Sequence, residues 1–225
     1  MSRKRLGLLV PSSNTVMEVD FYRGLPANIT LHAARILLEE TTVEAEKRMI
    51  EEHTPVAARD LSTLHPDLVV FGCTSASAVY GVDGDARLQA RLTDITGAPT
   101  IGVMSSVLRA LDVIEAERVA VITPYIDALN AKIADRLTQH GLNVVAIYGL
   151  GVSVNFDIAQ VRPDQIVAFA RQKLANVSTD CVFVSCTNFR AVEALPELTV
   201  VFDVPVITSN KATLDAALTL VGQPS

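Results

Sequence analysis

The sequence predicts an α/β fold of two pseudo-symmetric lobes, each a parallel sheet flanked by helices, with the candidate active site in the cleft between them. Two observations lead there. Short runs rich in Val, Ile and Leu alternate with longer amphipathic stretches, the pattern of parallel strands covered by helices. The chain also repeats itself. Arg5-Leu-Gly-Leu-Leu-Val-Pro11 corresponds to Arg118-Val-Ala-Val-Ile-Thr-Pro124, and Asp67-Leu-Val-Val-Phe-Gly-Cys73-Thr74 to Asp180-Cys-Val-Phe-Val-Ser-Cys186-Thr187, both at a separation of 113 residues. If the two copies face each other, one Cys-Thr from each half meets in a shared space.

The first copy opens with a strand at 5–10, followed by a helix at 15–24, a strand at 29–36 and a helix at 43–61. A strand at 67–71 then leads to Cys73, with a helix at 85–96, a strand at 99–103 begun by Pro99 and a helix at 104–113. The second copy has strands at 118–123, 143–149, 180–184 and 204–207. Its helices are 125–139, which Gly141 stops, 163–175, which Pro163-Asp164 starts, 188–194, and 210–221. Most of the strands lack alternation, as expected when both faces are buried. Pro99 and Pro205 are only 106 residues apart, so the second copy is shortened late in the repeat. The last helix, rich in Ala, Leu and Thr, is expected to cross back onto the first lobe. The chain therefore divides into 1–113 with 208–225, carrying Cys73, and 114–207, carrying Cys186. No long linker separates them, and little independent motion is expected.

Composition narrows the function. At 225 residues, 49% hydrophobic and 20% charged, the chain builds an ordinary packed core. A net charge of −6 opposes a nucleic-acid face, which must be basic. No apolar run approaches the ~18 residues of a membrane span, and Leu6 to Pro11 is too short for a signal-peptide core. Three cysteines suit free thiols in a reducing compartment, so a cytoplasmic location is expected. A homo-oligomer is compatible with all of this.

Ligands of parallel sheets bind beyond the carboxyl ends of the strands. Four segments close a strand and open a helix there: Pro11-Ser12-Ser13-Asn14, Cys73-Thr74-Ser75, Pro124-Tyr125 and Cys186-Thr187-Asn188. Backbone N–H groups at such turns cradle anions, so four together suit a small dicarboxylate. They also favour a thiolate over a thiol. A single cysteine at a strand end is more often a small core residue; two at equivalent positions, each followed by Thr, point to catalysis. Cys181 sits inside a strand with no cysteine counterpart and reads as core. With no Cys-x-x-Cys and no His beside either Cys-Thr, no metal is expected. His32, His53, His65 and His140 read as surface or capping residues. Without Gly-x-Gly-x-x-Gly or a Walker sequence, no nucleotide or other cofactor is expected. Asn155 lies on the loop after the strand at 143–149, where a capping role competes with substrate contact, and Tyr125 starts a helix, where packing competes, although its repeat counterpart is Ser12 and both stand at the mouth of the cleft.

The stretch Val10-Pro11-Ser12-Ser13-Asn14-Thr15-Val16-Met17-Glu18 resembles the maleate cis-trans isomerases of the cofactor-independent aspartate/glutamate/hydantoin racemase superfamily. So do Cys73-Thr74-Ser75, Thr123-Pro124-Tyr125, Asn155 and Cys186-Thr187-Asn188-Phe189-Arg190, spaced over nearly the whole chain. The resemblance implies Cys73 as nucleophile and Cys186 as acid/base partner. It implies that Asn14, Tyr125 and Asn155 bind or orient the substrate carboxylates, with Ser12, Ser13, Thr74, Ser75, Thr187 and Asn188 adding donors by position. The implied reaction is addition of the Cys73 thiolate to C2 of maleate, rotation about the resulting C2–C3 single bond, and expulsion of fumarate.

Three rivals stand beside it. A racemase would use the thiols as two bases on one α-carbon, but glutamate racemases usually show Asp-Ser-Gly where this chain has Pro11-Ser12-Ser13, and several keep an acidic or His neighbour where Gly72 and Ser185 stand. Relatives of the arylmalonate decarboxylase type keep only the second cysteine, and Cys73 opposes that reading. A non-catalytic binder of small acids has no use for two facing thiols.

Overall fold

Two four-stranded parallel sheets with the same strand order make up the protein, β2-β1-β3-β4 and β6-β5-β7-β8. The computed structural model describes residues 3–222; residues 1, 2 and 223–225, which the sequence reading placed in the first lobe, lie outside the described residues. The strands are β1 (Lys4–Pro11), β2 (Ile29–Ile36), β3 (Leu68–Phe71), β4 (Thr100–Gly102), β5 (Arg118–Thr123), β6 (Asn143–Gly149), β7 (Cys181–Val184) and β8 (Val206–Thr208).

The internal repeat is a repeat of register. Arg5 pairs with Thr30 and Arg118 with Asn143, while Leu6 pairs with Leu68 and Val119 with Cys181, so both pairs keep the 113-residue relation. Asp67 and Asp180 play one part in the two sheets. Each carboxylate accepts the backbone N–H of the central strand's first residues, Arg5 at 2.7 Å and Arg118 at 2.8 Å.

Among the described residues eleven α-helices cover the sheets: α1 (Met17–Gly24), α2 (Val43–Arg48), α3 (Thr54–Ser62), α4 (Thr74–Val79), α5 (Gly81–Thr96), α6 (Val103–Val113), α7 (Asp127–Gln139), α8 (Asn155–Ile158), α9 (Pro163–Leu174), α10 (Ala191–Val201) and α11 (Ser209–Gly222). At four places they depart from the sequence reading. The expected single helix at 43–61 is broken by a π-turn at Met49–His53. Pro55 has no N–H for the Glu51 carbonyl and its ring crowds that group, so the ladder widens ahead of it. The stretch 74–84, to which the sequence assigned no helix, is helical apart from Tyr80, with Gly81 at φ +68 providing the corner between α4 and α5. The helix expected to stop at 194 runs on to Val201 with Pro196 inside it. The short α8 was read as loop.

Full burial holds for the central strands: β3 and β7 are buried throughout, and β1 and β5 from their second or third residue. It fails for the edge strands β2 and β6, which alternate or stay half-exposed because only one neighbour covers them. Apolar side chains of both sheets join one core that includes Met104, Val107 and Leu111 of α6 and Ala212, Leu214 and Ala217 of α11. A second core lies on the other face of the first sheet, around Phe71, Ile50, Leu61 and Leu92. The chain's last helix packs against α6, α1 and β3. Among the described residues no helix is long and apolar enough to cross a membrane.

Candidate active site

Cys73 and Cys186 each follow a fully buried central strand, β3 and β7, at equivalent places in the two sheets. The two turns are fastened to each other. Thr187 donates its hydroxyl to the Gly72 carbonyl at 3.0 Å and receives the Asn14 amide at 3.1 Å. Ser209, the first residue of α11, accepts both the Thr74 hydroxyl and the Cys186 backbone N–H at 3.0 Å each. Asn210 then donates to Asp20 of α1 at 2.7 Å and to the Thr187 carbonyl at 3.0 Å. Burial pushes Asp20 up to about 6, against the pull of that Asn210 bond.

Both thiols are almost sealed from solvent, 5% exposed for Cys73 and 4% for Cys186. Desolvation pushes Cys73 well above the ordinary thiol range, and the charges of Glu46 and Cys186 push it further. The Ala76 backbone N–H and the Ser75 hydroxyl pull the other way and lose. Cys186 is pushed up to about 12 by burial, although Tyr125 and the Asn188 and Phe189 N–H groups favour its thiolate. The turns do supply donors, as the sequence led one to expect, but desolvation outweighs them and both thiols rest neutral in the closed site. Cys181 lies in β7, buried, and its thiol is also pushed up to about 12.

Cys186 has a second peculiarity. Its φ is +101°, a backbone region that a residue with a Cβ occupies only under strain. Cys73 is extended at φ −136°. The two equivalent cysteines thus differ in backbone as well as surroundings.

The other candidates form one network around these turns. Asn14 spends its Oδ1 on the N–H groups of Val16 and Met17, both at 3.0 Å, and so fixes the start of α1. Arg35 of β2 steadies the same turn by donating to the Asn14 carbonyl at 2.5 Å. Ser12 accepts the Leu38 N–H at 3.1 Å, and Ser13 donates to the Leu38 carbonyl at 2.5 Å. Asn155 donates to Ser13 at 2.7 Å, while Asn188 donates to the Asn155 carbonyl at 2.6 Å and accepts the Thr15 N–H at 2.9 Å. Tyr125 is 1% exposed, and burial together with the charges of both cysteines pushes its hydroxyl well above the ordinary range.

Two strands of irregular chain cross between the lobes beside Ser13 and Asn155. The Thr41 N–H bonds the Ser153 carbonyl at 2.7 Å, the Asn155 N–H bonds the Glu39 carbonyl at 2.9 Å, and Glu40 bridges Val154 in antiparallel fashion. The segments 38–41 and 152–155 therefore bond the two halves to each other.

Glu46 and Ser209 belong to the site and were not found from the sequence. Glu46 lies between exposed Glu44 and Lys47 and reads as a surface residue, yet it is fully buried, with Ser75 donating to its Oε1. Its position three residues after Val43 and four before Ile50, on the buried side of the helix, was the available signal. Ser209 follows the last strand directly, so the strand-end rule applied to the other turns would have reached it. The reading that no acidic group stands beside a thiol is correct for chain neighbours and wrong in space.

Gly149 ends β6 against the Tyr125 turn, where a Cβ would collide with the Tyr125 carbonyl and the Asn130 amide. Gly149→Ala is expected to lower stability by about 1–3 kcal/mol, the usual cost of overpacking, as read from the urea midpoint. Among the described residues, no group of three or more His, Cys, Asp or Glu is placed to hold a metal ion.

Two like α/β lobes each place a buried cysteine just past the end of a central parallel strand. The chain belongs to the arylmalonate decarboxylase family, which matches residues 6–225. The maleate isomerase of Geobacillus stearothermophilus is 23% identical, over 93% of this chain and 88% of that protein. The arylmalonate decarboxylase of Bordetella bronchiseptica is 28% identical, over 98% of this chain and 92% of its own length. Among solved structures, the Pseudomonas putida S16 maleate isomerase with maleate superposes with a TM-score of 0.91 at 24% identity, covering 99% of this chain and 94% of that one. A mutant of the Nocardia farcinica maleate cis-trans isomerase, which carries a covalently bound succinylcysteine intermediate, gives 0.90 at 22% identity with the same coverage.

Proposed function

We propose that the protein is a cofactor-independent isomerase that converts maleate to fumarate, with Cys73 as nucleophile and Cys186 as acid/base partner. The observation that carries the reading is the pair of buried thiols at equivalent strand ends, on turns tied together by the Thr187–Gly72 bond and by Ser209, which accepts from both Thr74 and Cys186. The resemblance to proteins named maleate isomerases over nearly the whole chain supports it. So does the succinylcysteine of the Nocardia mutant, the species that thiol addition across the maleate double bond produces.

In this chain the Cys73 thiolate forms a bond to C2, and the alkene electrons move onto C3 and its carboxylate. Donors on the carboxylate hold that charge; Asn14, Tyr125, Asn155 and the amide groups of residues 12, 13, 74, 75, 187 and 188 are assigned to that task, while the hydroxyls of Ser13, Thr74, Ser75 and Thr187, each donating within the protein, hold the turns in place. Cys186 gives its proton to C3, leaving a succinyl thioether on Cys73 and a thiolate at Cys186. Rotation about C2–C3 follows. Cys186 retakes a proton from C3, the double bond re-forms as trans, and Cys73 leaves as thiolate. Protons and charge balance.

The division into 1–113 with 208–225 and 114–207 is part of this proposal, and the packing of α11 on α6 and α1 supports it. Three free thiols suit a reducing cytoplasm. Proton NMR of maleate incubated with the protein alone is expected to show fumarate growing in. Unchanged maleate at high protein concentration would remove the isomerase reading. Deuterium entering the α-position of an amino acid would install the racemase, and loss of carbon dioxide from an arylmalonate the decarboxylase.

A further inference from the structure

We propose that Ser75 and Glu46 form a proton relay that takes the proton from Cys73 and delivers it to the Glu46 carboxylate. The inference rests on the reading of Cys73 as nucleophile.

Glu46 is 0% exposed, in a helix whose neighbouring charges, Glu44, Lys47 and Arg48, all face solvent. Among the described residues no cation pairs with it. Its Oε1 accepts the Ser75 hydroxyl and its Oε2 has no hydrogen-bond partner. A carboxylate so placed is poorly solvated and gains by taking up a proton. Burial pushes it up to about 8, with the Ser75 bond only partly opposing.

The direction of the hydrogen bonds makes this a path. Ser75 has one hydroxyl proton and directs it at Glu46, so in its 3.8 Å contact with the Cys73 sulfur the S–H is the donor. The Cys73 S–H bond breaks as its proton binds Ser75 Oγ, and the Ser75 O–H proton moves to Glu46 Oε1. The products are a thiolate, a hydroxyl and a carboxylic acid, with one negative charge before and after. The transfer also removes an obstacle. Ionised Glu46 disfavours a Cys73 thiolate, whereas protonated Glu46 does not. Ser75 can then turn the acquired proton back onto the sulfur and stabilise it.

Other titratable groups leave the relay to itself. The π-turn packed on α2 carries Glu51 and Glu52, both exposed, and half-buried His53, while α4 has no titratable side chain. Across the cleft, the Glu46 charge disfavours the anions of Cys186 and Tyr125. The second lobe has no such relay: the residues 113 further on are Asn188 and Ala159, and the Asn188 N–H reaches the Cys186 sulfur at 3.4 Å. A base therefore serves Cys73 and donors serve Cys186.

The test is the pH dependence of Cys73 alkylation by iodoacetamide, read by peptide mass spectrometry, which needs no substrate. Glu46→Gln keeps an acceptor for Ser75 but cannot take the proton. Above about pH 8, where wild-type Glu46 is a carboxylate, it is expected to slow Cys73 alkylation by about tenfold, a one-unit rise in the thiol midpoint, with Cys186 unaffected. Ser75→Ala should act in the same direction, and Ser75→Thr and Glu46→Asp should restore part of the rate. A Cys73 in Glu46→Gln that reacts as fast as wild type, or faster because a repelling charge has gone, overturns the relay. If Glu46→Gln does not fold, the difference between Ser75→Ala and Ser75→Thr decides, equal rates overturning it. A wild-type Cys73 inert at every pH also overturns it. Failure to isomerise maleate would remove the proposed reaction and leave this result standing.

Discussion

Cys73→Ser is expected to abolish turnover of maleate, by at least about a thousandfold, or ~4 kcal/mol of barrier. Serine is nearly the same size, and Cys73 sits in extended backbone that serine adopts freely, so the fold should persist with an unchanged circular dichroism spectrum. What disappears is the soft nucleophile. A hydroxyl in this desolvated turn ionises far less readily than a thiol, and an alkoxide adds poorly to an electron-poor alkene. Maleate affinity, measured by calorimetry, should change little, because the polar network around the turn does not pass through the sulfur except at Ser75. A variant that keeps more than a tenth of the wild-type rate would remove Cys73 from the reaction.

Cys186→Ala is expected to stop the cycle halfway. Addition at C2 needs only Cys73, but proton exchange at C3 needs a group on the opposite lobe, and loss of an acid/base group costs about 10²–10⁴-fold. Without it water can slowly supply the C3 proton, so the thioether forms, but no group is placed to take that proton back and the adduct is not released; intact-mass spectrometry after maleate incubation should show the protein heavier by one succinyl group. Peptide mapping should place that group on Cys73. Faster fumarate production, or an adduct on Cys181, would contradict the division of labour between the cysteines.

Strand ends and the repeat were legible because each depends on local chemistry. Apolar runs followed by Pro, Cys or small polar residues mark where a parallel strand meets a helix, and equal spacing marks equal register, as the Arg5–Thr30 and Arg118–Asn143 pairs illustrate. What escaped depends on chain segments distant in sequence. Glu46 looks like one more charge in a charged helix until α2 packs on α4 and brings it to Ser75. The π-turn answers Pro55, a local signal the reading passed over, whereas the continuation of α10 through Pro196 is packing that overrides a local preference. The expected thiolate character of the cysteines failed on magnitude: a turn's N–H groups were weighed, but the desolvation of a nearly sealed cleft was not.

The positive φ of Cys186 sets the molecule's fitness for work against its durability. Glycine would occupy that torsion without penalty, so Cys186→Gly should melt higher than Cys186→Ala, although glycine ordinarily weakens a chain by loosening its denatured state. Selection for ruggedness alone would have emptied the position of its sulfur. That the tense residue persists there marks it as one retained for what it does rather than for how it folds.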